Sequence, residues 1–445
     1  MHRDPHPYAE HRARFLARLA ADGAAALVFT ARHAVRNFDS DYRFRPHSDF
    51  WYLTGFAEPE SVLVLLPGRE AGQSVLFLRR RVKEEETWTG LRLGVERAPA
   101  ALQVDEARPV EQLYDDLPEL LKGYRKVVYQ VGVDEDRDRR VLAVGAKLRR
   151  AVRGGVLAPV EWIDPVDSLH ELRLFKTPAE LALMRRAAAA SAEAHSGVMA
   201  AAAPGVNECE LDALLEHTYR RRGGTGAAYN HIVAGGANAC ILHYNDNDQP
   251  LRDGDLCLVD SGCEWDFYAS DVTRTFPVNG RFSEPQRELY QVVLDAQLAA
   301  VAHVRPGVTF ESVHDVATRK LVEGLVGLGI VRESVDAALK SGSYRTYYMH
   351  RTGHWLGLDV HDQGRYHLDG QSRRLEPGMV TTVEPGLYVA PDDQSVDARW
   401  RGLGVRIEDD VLVTRDGHEN LTAAIPKEVD AVEAACAGAE LAPAR

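Results

Sequence analysis

Asp260, Asp271, His354, Glu384 and Glu408 are five side chains of types that bind divalent cations, all in the C-terminal half of a 445-residue chain. Asp260 closes the apolar run Leu256-Cys257-Leu258-Val259, and Asp271 follows eleven residues later (271 minus 260) in Ser270-Asp271-Val272-Thr273-Arg274-Thr275. His354 sits between Gly353 and Gly357, and glycines allow backbone to approach a site closely. Glu384 and Glu408 end the apolar runs leading into Val383-Glu384-Pro385-Gly386 and Val405-Arg406-Ile407-Glu408-Asp409. Oxygen donors suit Mn, Mg or Ca, while an imidazole favours transition metals. Four carboxylates and one histidine therefore match the needs of two divalent cations, and the pattern points to a dinuclear metallohydrolase.

A lone Asp at a strand end is more often a turn residue than a ligand. Here the neighbours matter: two short strands meeting at a turn bring Asp260 and Asp271 to one spot. Like charges that close are costly unless a cation neutralises them, and Glu384 and Glu408 add to that cost if the strands share a sheet. A histidine in a strand or turn is also more often structural than functional. On their own, His243, His350 and His361 are only candidates for the pocket.

The elements that must position these residues are legible in outline. Tyr8 to Ala21 reads as a helix with Arg and Leu on different faces, and Ala24 to Phe29 and Ser61 to Leu66 read as buried strands, an α/β pattern. Asp164-Pro165 and Lys176-Thr177-Pro178 are breakers, which places a domain boundary near 165 to 175 and divides the chain into residues 1–170 and 171–445. Thr177-Pro178-Ala179-Glu180 has the capping Thr, early Pro and Glu of a helix start, opening a helix toward Met199. A second helix begins near Glu208, and Ser283-Glu284-Pro285-Gln286 caps a third running to about Val304. Helices followed by strands, twice over, predict an α+β C-terminal domain of two related halves. The Ala-rich tail after Val429 is expected to be a frayed helix.

With five ligand types in this order, the chain resembles the aminopeptidase P and prolidase group of metallopeptidases from about residue 37 to about residue 425. The segments Ile241-Leu242-His243-Tyr244, His354-Trp355-Leu356-Gly357-Leu358-Asp359-Val360-His361-Asp362 and Arg401-Gly402-Leu403-Gly404-Val405-Arg406-Ile407-Glu408-Asp409 are similar to bacterial Xaa-Pro aminopeptidases in particular. The resemblance implies a catalytic domain with the pita-bread fold behind an α/β N-terminal domain. It implies that Asp260 holds one metal, that His354 and Glu384 hold the other, and that Asp271 and Glu408 bridge both. A water shared by the metals would be deprotonated to attack the amide between an N-terminal residue and a following proline, with Glu384 handling the proton. His243 and His361 would line the substrate cleft, His361 contacting the scissile peptide, and His350 would wall the proline pocket. By the same match Arg406 pairs with Asp260, Tyr229 donates a hydroxyl nearby, Tyr388 is a weaker candidate for a cleft hydroxyl, and Trp88 reaches a neighbouring subunit's site in a homo-oligomer, a dimer or tetramer. Local packing is an equally good account of Trp88. Prolidase, restricted to dipeptides, shares the metal core; the run Asp49-Phe50-Trp51-Tyr52-Leu53-Thr54-Gly55-Phe56 favours the aminopeptidase. A metal-free creatinase-like protein would lack some of the five ligands, and methionine aminopeptidase usually lacks so large an N-terminal domain. One position departs from the family: Arg351 stands where glycine commonly follows the histidine matching His350.

Composition sets the limits. Net charge is 53 minus 66, or −13, which argues against a nucleic-acid partner. No apolar run reaches the roughly 18 to 20 residues of a membrane span, and the N-terminus lacks an uninterrupted apolar signal core, so a cytoplasmic enzyme is the simplest expectation. Cys209, Cys240, Cys257, Cys263 and Cys436 show no paired spacing and are expected to be small buried thiols. The cofactors expected are two divalent ions, Mn first.

Overall fold

The computed structural model describes residues 7–438. The chain divides into two compact units, with the break between Arg173 and Leu174.

The first unit is built on a six-stranded sheet in the order Glu106–Pro109, Ser74–Leu78, Val62–Leu65, Ala24–Phe29, Lys126–Val128, Glu161–Ile163. Ala24–Phe29 runs antiparallel to Val62–Leu65 but parallel to Lys126–Val128, so the sheet is mixed. Its central strands are apolar on both faces because helices cover them, and Val64, Val75, Phe77 and Val127 are fully buried. Helix Tyr8–Asp22 ends on Gly23, whose φ of 62° is the left-handed cap a helix end favours. Arg and Leu do not separate onto different faces as expected, because Arg12 is buried beside Phe15 and Leu19. Its guanidinium donates to the carbonyls of Leu53 (2.6 Å), Leu102 (2.9 Å) and Gln103 (2.6 Å), capping backbone that would otherwise be unpaired. Helix Ser48–Thr54 is buried along its whole length. Its Asp49 meets Arg173 at 2.7 Å and His170 at 3.0 Å.

The second unit repeats one plan. Helices Pro178–Ala201 and Glu208–Arg222 precede an antiparallel sheet of Ile232–Gly235, Leu256–Asp260 and Thr273–Pro277. Helices Glu284–His303 and Phe310–Gly327 precede a sheet of Val380–Val383, Asp409–Val413 and His418–Asn420. Three of these helices start with a full capping box, at Thr177/Glu180, Asn207/Glu210 and Ser283/Gln286. Strand Thr273–Pro277 meets the segment that leads into Asp409–Val413 through Glu408 N–H to Thr273 O at 3.1 Å and Thr275 Oγ1 to Arg406 O at 3.0 Å. Register then decides what converges there. Asp260 lies opposite Thr273, and Val383 lies opposite Asp409, so Glu384 and Glu408 flank the same strand end.

Two expectations about the chain's tail and its thiols hold only in part. The tail forms helix Val429–Cys436, and Val429, Val432 and Ala435 enter the main core of this unit, so apolar burial holds what composition alone would leave frayed; residues beyond 438 lie outside the described part. Cys257 and Cys263 are buried, but Cys240 and Cys436 are half-buried and Cys209 is exposed on a helix surface.

Candidate metal centre

The strand ends of the second unit open onto a cavity of about 810 Å³, and Asp260, Asp271, His354, Glu384 and Glu408 all line it. Asp271, His354 and Glu408 each present a ligand atom within 4.8 Å of the others. His354 Nε2 is 3.3 Å from Asp271 Oδ2 and 3.5 Å from Glu384 Oε1. The imidazole faces this way because Nδ1 meets the Trp355 carbonyl at 3.1 Å, which makes Nδ1 the donor and leaves Nε2 for the cluster. Tyr229 joins the two aspartates, its hydroxyl donating to Asp260 Oδ1 at 2.6 Å and also contacting Asp271 Oδ1. Arg406 Nη2 reaches the other Asp260 oxygen at 2.6 Å.

Local backbone makes this convergence possible at two glycines. A Cβ on Gly262 would stand 1.7 Å from the Ser270 carbonyl, so only glycine lets the chain after Asp260 pass the segment that carries Asp271. A Cβ on Gly353 would stand 2.1 Å from the Thr382 carbonyl, where the turn bearing His354 crosses the strand that leads to Glu384.

Three groups that sequence reasoning passed over hold the cluster in shape. Thr273 Oγ1 donates to Glu408 at 2.6 Å and accepts from Arg406 Nε at 3.1 Å, linking a carboxylate to the guanidinium. Thr382 Oγ1 accepts from the His354 N–H at 3.0 Å and lies 3.4 Å from Glu384. Asp410, fully buried, accepts from the Asp271 N–H at 3.1 Å and from Ser270 Oγ at 2.8 Å. A threonine in a strand carries no sequence signal of such a role. Asp410 did carry one, as the third acid in Glu408-Asp409-Asp410 at the head of an apolar strand.

The electrostatics fit cations. Burial, then the charges of Asp271 and Glu384, push Glu408 well above the ordinary carboxylate range. Burial, with Asp271 and Asp260 adding to it against the pull of His354 and Arg406, lifts Glu384 to about 7. Burial would lower His354, but its hydrogen bond to Asp271 and the charge of Glu384 override it and raise the imidazole to about 9. These acids can ionise together only with positive charge among them, and a set of carboxylate oxygens with one imidazole nitrogen is suited to divalent cations. The chemistry of the donor set therefore fits metal.

The other predicted residues divide between the two units. His243, His350 and His361 line the same cavity, with the His361 ring 4.4 Å from that of His354 in an edge-on arrangement. Burial, then Arg406, pushes His350 down to about 4, so it is neutral at physiological pH. Tyr388 stands behind the wall, its hydroxyl 2.9 Å from both His350 Nε2 and Arg406 Nη1. Arg351 is on the rim, two-thirds exposed and 3.7 Å from Glu311. Trp88 belongs to the first unit, on the short helix Lys83–Thr89, and is 88% exposed.

Buried carboxylates converging from the strand ends of two similar antiparallel sheets, with one histidine between them, define a metallopeptidase centre of the pita-bread type. The chain belongs to metallopeptidase family M24, whose pattern matches residues 182–415, and residues 8–129 match the aminopeptidase P N-terminal domain. It is 46% identical to the Xaa-Pro aminopeptidase of Escherichia coli over 93% of each chain, and 44% identical to that of Haemophilus influenzae over 96% of each. Among solved structures it is similar to aminopeptidase PepP of Pseudomonas aeruginosa, at 46% identity and a TM-score of 0.96, covering 99% of this chain and 100% of that one. It is also similar to zinc-substituted Escherichia coli aminopeptidase P in complex with product, at 44% identity and a TM-score of 0.91, covering 97% and 99%.

Proposed function

We propose that the chain is an Xaa-Pro aminopeptidase, hydrolysing the bond between an N-terminal residue and a following proline in peptides. The observation that carries this is the convergence of four carboxylates and His354 in one cavity, in a chain so similar to Xaa-Pro aminopeptidases across almost its whole length. Asp260, Asp271, His354, Glu384 and Glu408 would hold two divalent cations, Asp260 serving one, His354 and Glu384 the other, and Asp271 and Glu408 contributing to each, with Mn favoured by the oxygen-rich set. When bound, such a pair would supply Lewis-acid polarisation and lower the pKa of the attacking water.

The chain's own groups do the rest. The Glu384 carboxylate accepts the proton of the attacking water at an oxygen facing the cavity, a role suited to a carboxylate at the edge of the site. His361 and His243, on the cavity wall, hydrogen-bond the substrate backbone and stabilise charge developing on the carbonyl oxygen. The leaving proline nitrogen is a tertiary amide with no proton of its own, so one must be delivered as the bond breaks. His350, held by Tyr388 and neutral, walls the ring of that proline, and Arg406 orients Asp260. The substrate's free α-amino group is drawn to the acidic floor. In this reading residues 1–170 form the N-terminal domain and 171–445 the catalytic one, and Trp88 is exposed for contact with a second subunit of a homo-oligomer. The enzyme is cytoplasmic; among the described residues no helix is long and apolar enough to cross a membrane.

Substrate length and the second residue test the reading. Xaa-Pro-Xaa tripeptides with free N-termini should be cleaved faster than Xaa-Pro dipeptides, and acetylated peptides not at all. Faster cleavage of dipeptides would make the enzyme a prolidase, and equal cleavage of Xaa-Ala peptides would end the proline-specific reading.

A further inference from the structure

His354 and His361 are carried by one segment that is tied to strand Val380–Val383 by a bridge at Trp355 and by Leu356 N–H to Val380 O at 3.1 Å, but that has neither helix nor strand from Gly357 to His361, where His361 is exposed within the cavity. The residue after it is the opposite. The side chains of Asp362 and Lys176 are each only 1% exposed and meet at 2.9 Å, a buried ion pair outside the metal cluster. Asp362 N–H also closes the segment by donating to the Trp355 carbonyl at 2.9 Å. Gly357 lies against the pair so tightly that a Cβ would stand 2.1 Å from Asp362 Oδ2 and 2.9 Å from Lys176 Cε. Lys176 is itself held by rigid structure. Its N–H donates to Gly378 O at 2.8 Å, and the next residue is Thr177, which caps the helix Pro178–Ala201.

A buried ion pair is a poor device for stability alone, because apolar side chains of the same volume hold a core as well or better. What it adds is direction: a carboxylate and an ammonium in a dry site have one good geometry. We propose that Lys176 and Asp362 are positioning residues for the hydrolytic reaction, clamping the end of the 354–362 segment so that the His361 ring stands fixed beside His354 and over the substrate. The clamp acts through the backbone between residues 361 and 362, with no contact between either residue and substrate. This inference rests on the placement of His361 at the substrate in the reading above.

A double-mutant cycle separates the clamp from general stability. The neutral variant Lys176→Met/Asp362→Asn avoids leaving one charge buried alone, and is compared with wild type in the native and His361→Ala backgrounds on an Xaa-Pro-Xaa tripeptide. With His361 present, kcat should fall by about 10- to 100-fold, the usual effect of removing groups that orient a site, while metal content and Tm stay close to wild type. With His361 already removed, the same pair of substitutions should change kcat little. A readout without turnover goes with it: the His361 ring resonance of the metal-free protein should broaden or split in the neutral variant. Equal losses in both backgrounds, an unchanged kcat with His361 present, or an unchanged ring resonance would overturn the proposal. If the neutral variant fails to fold, Lys176→Arg, which keeps the charge and moves the donor, carries the same comparison. Unchanged kcat for His361→Ala alone would sink the cleft reading and this inference with it, whereas additive losses would sink only the inference.

Discussion

Tyr229→Phe tests how the cluster is held before any chemistry occurs. The phenol sits between two aspartates, 2.6 Å from Asp260 Oδ1 and in contact with Asp271 Oδ1. Burial, with the charges of both aspartates, keeps its pKa well above that of a free phenol, so its proton is always present to donate. Phenylalanine preserves the ring and its packing and deletes one hydrogen bond to a charged acceptor, worth about 1.5–3 kcal/mol. At about 1.4 kcal/mol per tenfold that is a loss of about 10- to 150-fold, if all of it appears as weaker metal binding. Asp260 keeps Arg406 on its other oxygen at 2.6 Å, which argues for the lower part of that range. The assay is a metal titration of chelated protein with bound metal counted per chain, followed by turnover at saturating metal. Binding should weaken by about 10- to 100-fold, with kcat at full occupancy little changed. Metal affinity equal to wild type would refute the claim that Tyr229 orients the ligands, and a collapse of kcat at full occupancy would assign it a part in the chemistry instead.

Asp271→Asn or Glu408→Gln should remove nearly all turnover and one or both metals, whereas His243→Ala should cost about 10²- to 10⁴-fold with metals retained; metal analysis beside kcat checks the ranking. Gly353→Ala should lower Tm and turnover together, since its Cβ would stand 2.1 Å from the Thr382 carbonyl and displace the turn that presents His354, an overpacking cost of about 1–3 kcal/mol. Asp49 predicts an acid-sensitive stability. Burial would raise its pKa, but Arg173 and His170 outweigh that and hold the folded carboxyl below the ~3.9 of an unfolded chain. A depressed pKa stabilises above the unfolded value and is lost as pH falls through the folded one. Asp49→Asn should therefore cost about 3–5 kcal/mol near neutral pH, and its Tm deficit should shrink as pH is lowered below about 4.

How much could be read from the residues differs between levels. Asp260, Glu384 and Glu408 stand out because each acid ends an apolar run, where only a turn or a ligand explains it, and Gly353 marks the histidine that needs close approach. Helix starts at Thr177 and Ser283 are equally plain, since a capping box is a local pattern. Pairings are not local: nothing in Ala24–Phe29 tells that one neighbour is antiparallel and the other parallel. Thr273 and Thr382 look like ordinary strand residues until register places their hydroxyls against Glu408 and the His354 N–H. Arg12 misled for a related reason, because carbonyls from distant segments, which no helical periodicity contains, make its burial favourable.

Hydrolysis of an Xaa-Pro bond at this site calls for two divalent cations. The direct measurement is to chelate the protein exhaustively, verify negligible metal, add Mn stepwise, and follow bound metal per chain together with hydrolysis of an Xaa-Pro-Xaa tripeptide. Activity should be absent after chelation, return as metal binds, reach its maximum near two ions per chain, and be higher with Mn than with other divalent cations. Full activity in the verified metal-free protein would exclude a metal-dependent site.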